Sequence, residues 1–135
     1  MAPFASLGKH ADLGLLLLRV GMGSMFVVHG LPKLTGGTER WTELGASMSH
    51  FGIDFAPTFW GLMAALSETI GGVLLAVGLW TRPACMVLAF TMLVAMVHHL
   101  AKGDGIRGAS HAIEALSVFL ALVLVGPGRH SIDKA

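Results

Sequence analysis

PACMVLAFTMLVAMVHHLA, residues 83–101, runs without an Asp, Glu, Lys or Arg. As a helix rising 1.5 Å per residue it reaches about 28 Å, close to the roughly 30 Å hydrocarbon core of a bilayer. In that core a chain must satisfy its own backbone polar groups, so such a run reads as a transmembrane helix. Upstream, TFWGLMAALSETIGGVLLAVGLW (58–80) carries Glu68 as its only charge. In residues 11–34, Arg19 is the only charge between Asp12 and Lys33, and residues 109–126 carry only Glu114. These four segments predict spans at about 11–34, 58–80, 83–101 and 109–126. The expected fold is all-α, an integral membrane four-helix transmembrane bundle in a single domain.

Bulk composition points the same way. Hydrophobic residues make up 54% of the 135 and charged ones 13%, where soluble domains carry about 25% charge; mean hydropathy is +0.73. A net charge of +1 and no basic patch argue against a nucleic-acid partner; the lipid bilayer is the expected partner. Cys85 is the single cysteine, which excludes an intramolecular disulfide, a CxxC redox pair and a cysteine zinc site. Trp60 and Trp80 bracket the second span about 30 Å apart, and tryptophan favours the two membrane interfaces.

The longest connection, residues 35–57, has its own helical stripe at Trp41, Leu44, Met48 and Phe51. Thr38 suits an N-cap, Glu39 the first turn and Gly52 a C-cap. A short interfacial amphipathic helix between spans 1 and 2 fits the pattern; so does a lid folded over the mouth of the bundle.

Four spans return the chain to the side it started from, here called side A, with side B opposite. Depth then sorts the polar residues into two groups. Arg19 and Glu68 are deep, at heights about 6 Å apart. A charge there costs about 2.5–3.5 kcal/mol on insertion scales, so an intramembrane ion pair between them is expected. Arg19 shares a face with Gly23, Phe26, Gly30 and Lys33, and Glu68 with Gly61, Ala64, Ala65 and Gly72; such small residues let helices approach closely. The pair either fixes packing alone or leaves Glu68 a protonatable, substrate-contacting role.

Near side B, spans one, three and four deliver His29, Lys33, His98, His99, His111 and Glu114 to one level. Interface anchoring and dipole complementation explain each singly. Together they suggest a site, and a quinone suits it: an apolar slot for the tail with donors near the interface for two carbonyl oxygens. His29, Lys33, His98, His99 and Glu114 are the candidates. A metal held by His111 and Glu114 with His98 or His99, whose spacing matches no known ligand set, and a haem or copper on Met92, Met96 and His99, a stripe of a kind that usually faces lipid or fills a core, are alternatives. The chain has no flavin or nicotinamide fingerprint, so electrons would come from a partner.

At these residues the chain resembles the DoxX family of small bacterial membrane proteins. The resemblance is carried by Arg19, by HGLPKL at 29–34, by SETIGGVLLAVGLWTRPA at 67–84, by His98, His99 and Glu114, and by GPGRHSID at 126–133. It implies a four-helix bundle in the bacterial inner (plasma) membrane. It also implies a redox setting, since similar proteins include the membrane subunit of a thiosulfate:quinone oxidoreductase and members linked to redox-stress complexes. His29, Lys33, Glu68, Arg82, His98 or His99 and Glu114 fall in matching elements. The expected function is a quinone-linked redox subunit working with a soluble or membrane partner. A non-catalytic anchor for a redox complex and a small-solute carrier remain open, as do catalysis by the chain itself and a homo-oligomer. Basic residues balance between the sides until Arg19, snorkelling toward side A, tips the expectation to cytoplasmic termini.

Overall fold

The computed structural model describes residues 2–133. A 3-10 turn over Ala5–His10 leads into α1 (Ala11–Thr35) and α2 (Gly37–Gly45). A second 3-10 turn (Ala46–Phe51) precedes α3 (Pro57–Val77), α4 (Thr81–Ala101) and α5 (Gly105–Val125). Helices α1, α3, α4 and α5 are each long and apolar enough to cross a membrane, and no strand occurs among the described residues. The chain is an all-α membrane bundle surrounded by lipid.

Two boundaries differ from expectation. Helix α5 starts at Gly105 instead of 109, leaving residues 102–104 as the turn, because Gly103 and Gly105 adopt positive φ (84° and 71°) and reverse the chain within three residues. Helix α3 stops at Val77, where Gly78 (φ 72°) donates its N–H back to Leu74 and Leu75. Trp80 therefore lies in the turn and not on the helix it was expected to end.

The spans pack as two tight pairs. Helix α1 buries Arg19, Gly23, Phe26 and Gly30, and α3 buries Gly61, Ala65, Glu68 and Gly72. Their backbones come so close that a Cβ on Gly72 would stand 2.6 Å from the Gly23 carbonyl. Helices α4 and α5 approach through Ala84, Ala89, Ala112 and Ala115 around Leu88, Phe119 and Leu122. With no hydrophobic drive between helices in lipid, close van der Waals packing of small residues holds such pairs. The backbones of α1 and α5 stay apart. Side chains bridge them, with the Phe26 ring 4.9 Å from Phe119.

The connection between spans 1 and 2 is a lid. Gly61 of α3 lies directly against the Trp41 backbone of α2, and Gly45 against Pro57. The Trp41 indole donates to the carbonyls of Lys33 and Leu34 at 3.1 and 3.2 Å, tying the lid to α1. Gly36, not Thr38, takes the N-cap position, while Gly52 (φ 76°) does end the second 3-10 turn.

At the opposite end, residues 128–133 form a strap across the α3–α4 turn. Ile132 and Asp133 donate their N–H groups to the carbonyls of Val77 and Gly78 at 3.3 and 2.8 Å. The Asp133 carboxylate accepts the Trp80 and Thr81 N–H groups at 2.7 and 2.8 Å, capping the start of α4. Burial opposes ionisation of Asp133, but the Thr81 and Trp80 donors and the Arg19 charge outweigh it and hold the carboxyl below its ordinary 3.8. A carboxylate whose folded value is depressed stabilises the fold above its unfolded pKa, and the gain disappears as pH falls through the folded one. Asp133→Asn is expected to cost about 1 kcal/mol near pH 7, the scale of a helix N-cap. In thermal melts the gap to wild type should stay constant down to about pH 5 and close below about pH 4; a gap unchanged at pH 3 would refute the charged cap.

Candidate functional site

Between α3, α4 and the lid lies a cavity of about 240 Å³. Its walls are mostly apolar, from Met48, Met63, Phe90 and Val94 among others, with a few polar groups set into them. Lys33 Nζ donates to both carboxylate oxygens of Glu68, at 2.9 and 3.0 Å, with 29% of the lysine side chain and 4% of the glutamate exposed. Ser67 and Thr91 share a hydroxyl hydrogen bond of 2.8 Å. Trp60 lines the same space, and its indole N–H is buried with no partner among the described residues.

The expected Arg19–Glu68 pair is thus corrected: the partner of Glu68 is Lys33. Side chains on a helix lean toward its N-terminus. Helix α1 enters from side A, so Arg19 leans back toward side A and Lys33 leans down into the bundle. Antiparallel α3 tilts Glu68 toward side B, where Lys33 meets it. Arg19 instead donates to the carbonyls of Leu75 and Ala76, at 3.5 and 3.3 Å, and to that of His130 in the strap. A guanidinium there finds the orphan carbonyls and negative dipole end of α3.

The side-B group also divides. His29 faces His111 with ring centroids 5.0 Å apart, Phe26 packing on both rings. His111 lies within electrostatic range of Glu68, Lys33 and Glu114 as well as His29, and neither His29 nor His111 lines the cavity. His98 and His99 go elsewhere. The Nδ1 of His98 is 3.3 Å from Nε2 of His50 on the lid, and His99 Nδ1 is 2.8 Å from the Asp104 carboxylate. The hydrogen bond from His99 holds the Asp104 carboxyl below its ordinary value, assisted by Lys102. This corrects the expectation that His98 or His99 joins His29 and Glu114. Among the described residues no three His, Cys, Asp or Glu side chains converge as a metal set. Arg82 is also distant from the cavity, capping α5 through a 2.8 Å bond from Nε to the Val123 carbonyl.

Sequence reasoning missed His50, Ser67, Thr91 and the role of Trp60. The spacing of Trp60 suggested an interface anchor, and nothing local to the other three distinguishes them from ordinary polar residues.

The DoxX family model matches residues 14–100. The chain is 32% identical to "Putative oxidoreductase CatD" of Bacillus subtilis, over 94% of this chain and 90% of that one. It is 31% identical to "Inner membrane protein YqjF" of Escherichia coli, covering 93% and 94% of the two chains, and 28% to "Inner membrane protein YphA" of the same organism, covering 89% and 88%. No solved structure matches it. The four-span bundle and a family match over more than half its length establish that this chain belongs to the DoxX family.

Proposed function

We propose that this DoxX protein is a quinone-linked redox subunit of the bacterial inner membrane, with the quinone ring held in the lidded cavity. The observation that carries the reading is the buried indole N–H of Trp60, unpartnered among the described residues, on a cavity whose charged groups are Lys33 and Glu68. At about 240 Å³ the space lies just below the usual ligand pocket of roughly 300–1,000 Å³. It suits a single substituted ring better than a flavin or a dinucleotide.

A bound quinone supplies a two-electron, two-proton couple. Around it, the Trp60 N–H and the Lys33 ammonium are donors for carbonyl oxygens, and the Met63, Phe90 and Val94 walls exclude water. Glu68 exchanges protons between the ring and Lys33. His111 and His29, both exposed, with His111 within electrostatic range of Glu68, are the groups that would exchange protons between the ion pair and the surface. Buried Cys85 gives no thiol route, so electrons arrive from a partner protein. The relative named as an oxidoreductase supports a redox setting. With cytoplasmic termini, the lid faces the periplasm.

Equilibrium dialysis of menadione, a tail-less quinone, against detergent-solubilised protein tests this. Saturable binding is expected, weakened about 2- to 12-fold in Trp60→Phe, the equivalent of one hydrogen bond of about 0.5–1.5 kcal/mol. An absence of saturable binding to wild type would sink the reading and leave a non-catalytic anchor in its place.

A further inference from the structure

The cavity does not end at Ser67. A second groove of about 390 Å³ runs on from it along the outer seam of α3 and α4, sharing Met63, Ser67 and Val87 with the first and continuing past Ile70 and Leu74 to Trp80. From Met63 to Leu74 the axial distance is about 16 Å. Ile70, Val87 and Trp80 on its rim are 52%, 51% and 67% exposed, so the groove opens directly onto the acyl chains. Beyond the Ser67 hydroxyl its wall is apolar apart from the Trp80 indole.

We infer that this groove seats the isoprenoid tail of a long-tailed quinone whose ring occupies the lidded cavity, making the ligand an amphiphile that lies along the α3–α4 seam. The inference rests on the proposed ring site, since it names the other half of the same ligand. Depth favours a neutral ligand over a phospholipid at the Glu68 end of the cavity. Glu68 lies about 16 Å along α3 from Pro57, near mid-membrane. A phosphate headgroup would carry its charge far below the interface to reach that position, at a cost of several kcal/mol, whereas a neutral ring with an apolar tail meets no such barrier. The two spaces share Met63, Ser67 and Val87, which lets ring and tail belong to one molecule.

The test uses protein in nanodiscs and two probes with the same naphthoquinone ring, menadione and a menaquinone bearing two isoprene units. The variants are Leu74→Trp, which fills the groove, and Ile70→Trp, which blocks its rim; neither residue lines the ring cavity. Taking each variant relative to wild type cancels partitioning of the tailed probe into lipid. The tailed probe is expected to lose tenfold or more in affinity in both variants while menadione binding stays within twofold, which also reports that the variants are folded. Equal losses for both probes, or no loss for either, would overturn the tail groove and leave the ring site standing. A wild type that binds neither probe would remove the ring site and this inference together.

Discussion

Lys33→Met is expected to lower the stability of the bundle by about 2–3 kcal/mol, below the roughly 3–5 typical of breaking a fully buried pair because the lysine is partly exposed. The loss comes chiefly from Glu68, left buried without its cation. The double variant Lys33→Met/Glu68→Met should recover most of it, since a buried ion pair replaced by apolar side chains of similar size is often neutral or better. A double-mutant cycle read by unfolding in mixed micelles should therefore give strong coupling between positions 33 and 68. Between Arg19→Met and Glu68→Met it should lie within about 0.5 kcal/mol of zero, as for residues that share no partner. Zero coupling for the 33–68 cycle would contradict the pairing. The recovered double variant also separates stability from function: it should fold and bind menadione poorly.

Arg19→Met is expected to cost about 2–5 kcal/mol. Three hydrogen bonds from a charged donor contribute about 1.5–3 kcal/mol each, and relief of roughly 2.5–3.5 kcal/mol for a charge in the membrane offsets part of their loss. The donors win. The damage should spread to the strap, because His130 loses its tie to α1 and the Asp133 cap on α4 loosens with it. Hydrogen exchange at the amides of Trp80, Thr81, Ile132 and Asp133 should accelerate together. A variant that melts with wild type and keeps those amides protected would show that Arg19 is not what holds the strap.

The spans were legible because membrane insertion imposes a length and polarity rule on consecutive residues. The buried faces were legible as well, since Gly23, Phe26 and Gly30 recur with Arg19 at helical spacing, as Gly61, Ala65 and Gly72 do with Glu68. What failed was partner choice. Arg19 and Glu68 are close in height along the bundle, but height along the axis ignores the lean of the side chains, which carries one toward side A and the other toward Lys33. The cavity was legible only in Lys33 and Glu68. Its remaining polar groups lie on α3, α4 and the lid, and no local pattern in Trp60, Ser67 or Thr91 reveals that these elements enclose a space. The histidines were recognised as unusual, yet their division between the α1–α5 seam and the lid depends on His50, contributed by a 3-10 turn that hydrophobic periodicity does not register.

The bond from Arg19 to the His130 carbonyl closes a separation of 111 residues, and that span has a consequence for biogenesis. When the first helix leaves the ribosome its guanidinium has no acceptor: the carbonyls of Leu75 and Ala76 are some fifty-six positions from being made, and the strap comes later still. During that interval the charge is expected to stay hydrated near the membrane surface, since at a helix centre it costs about 2.5–3.5 kcal/mol on insertion scales. Arrival of α3 gives it two of its acceptors, and arrival of the strap gives the third. The bundle is therefore expected to close fully only once the strap has been made and supplies the third acceptor.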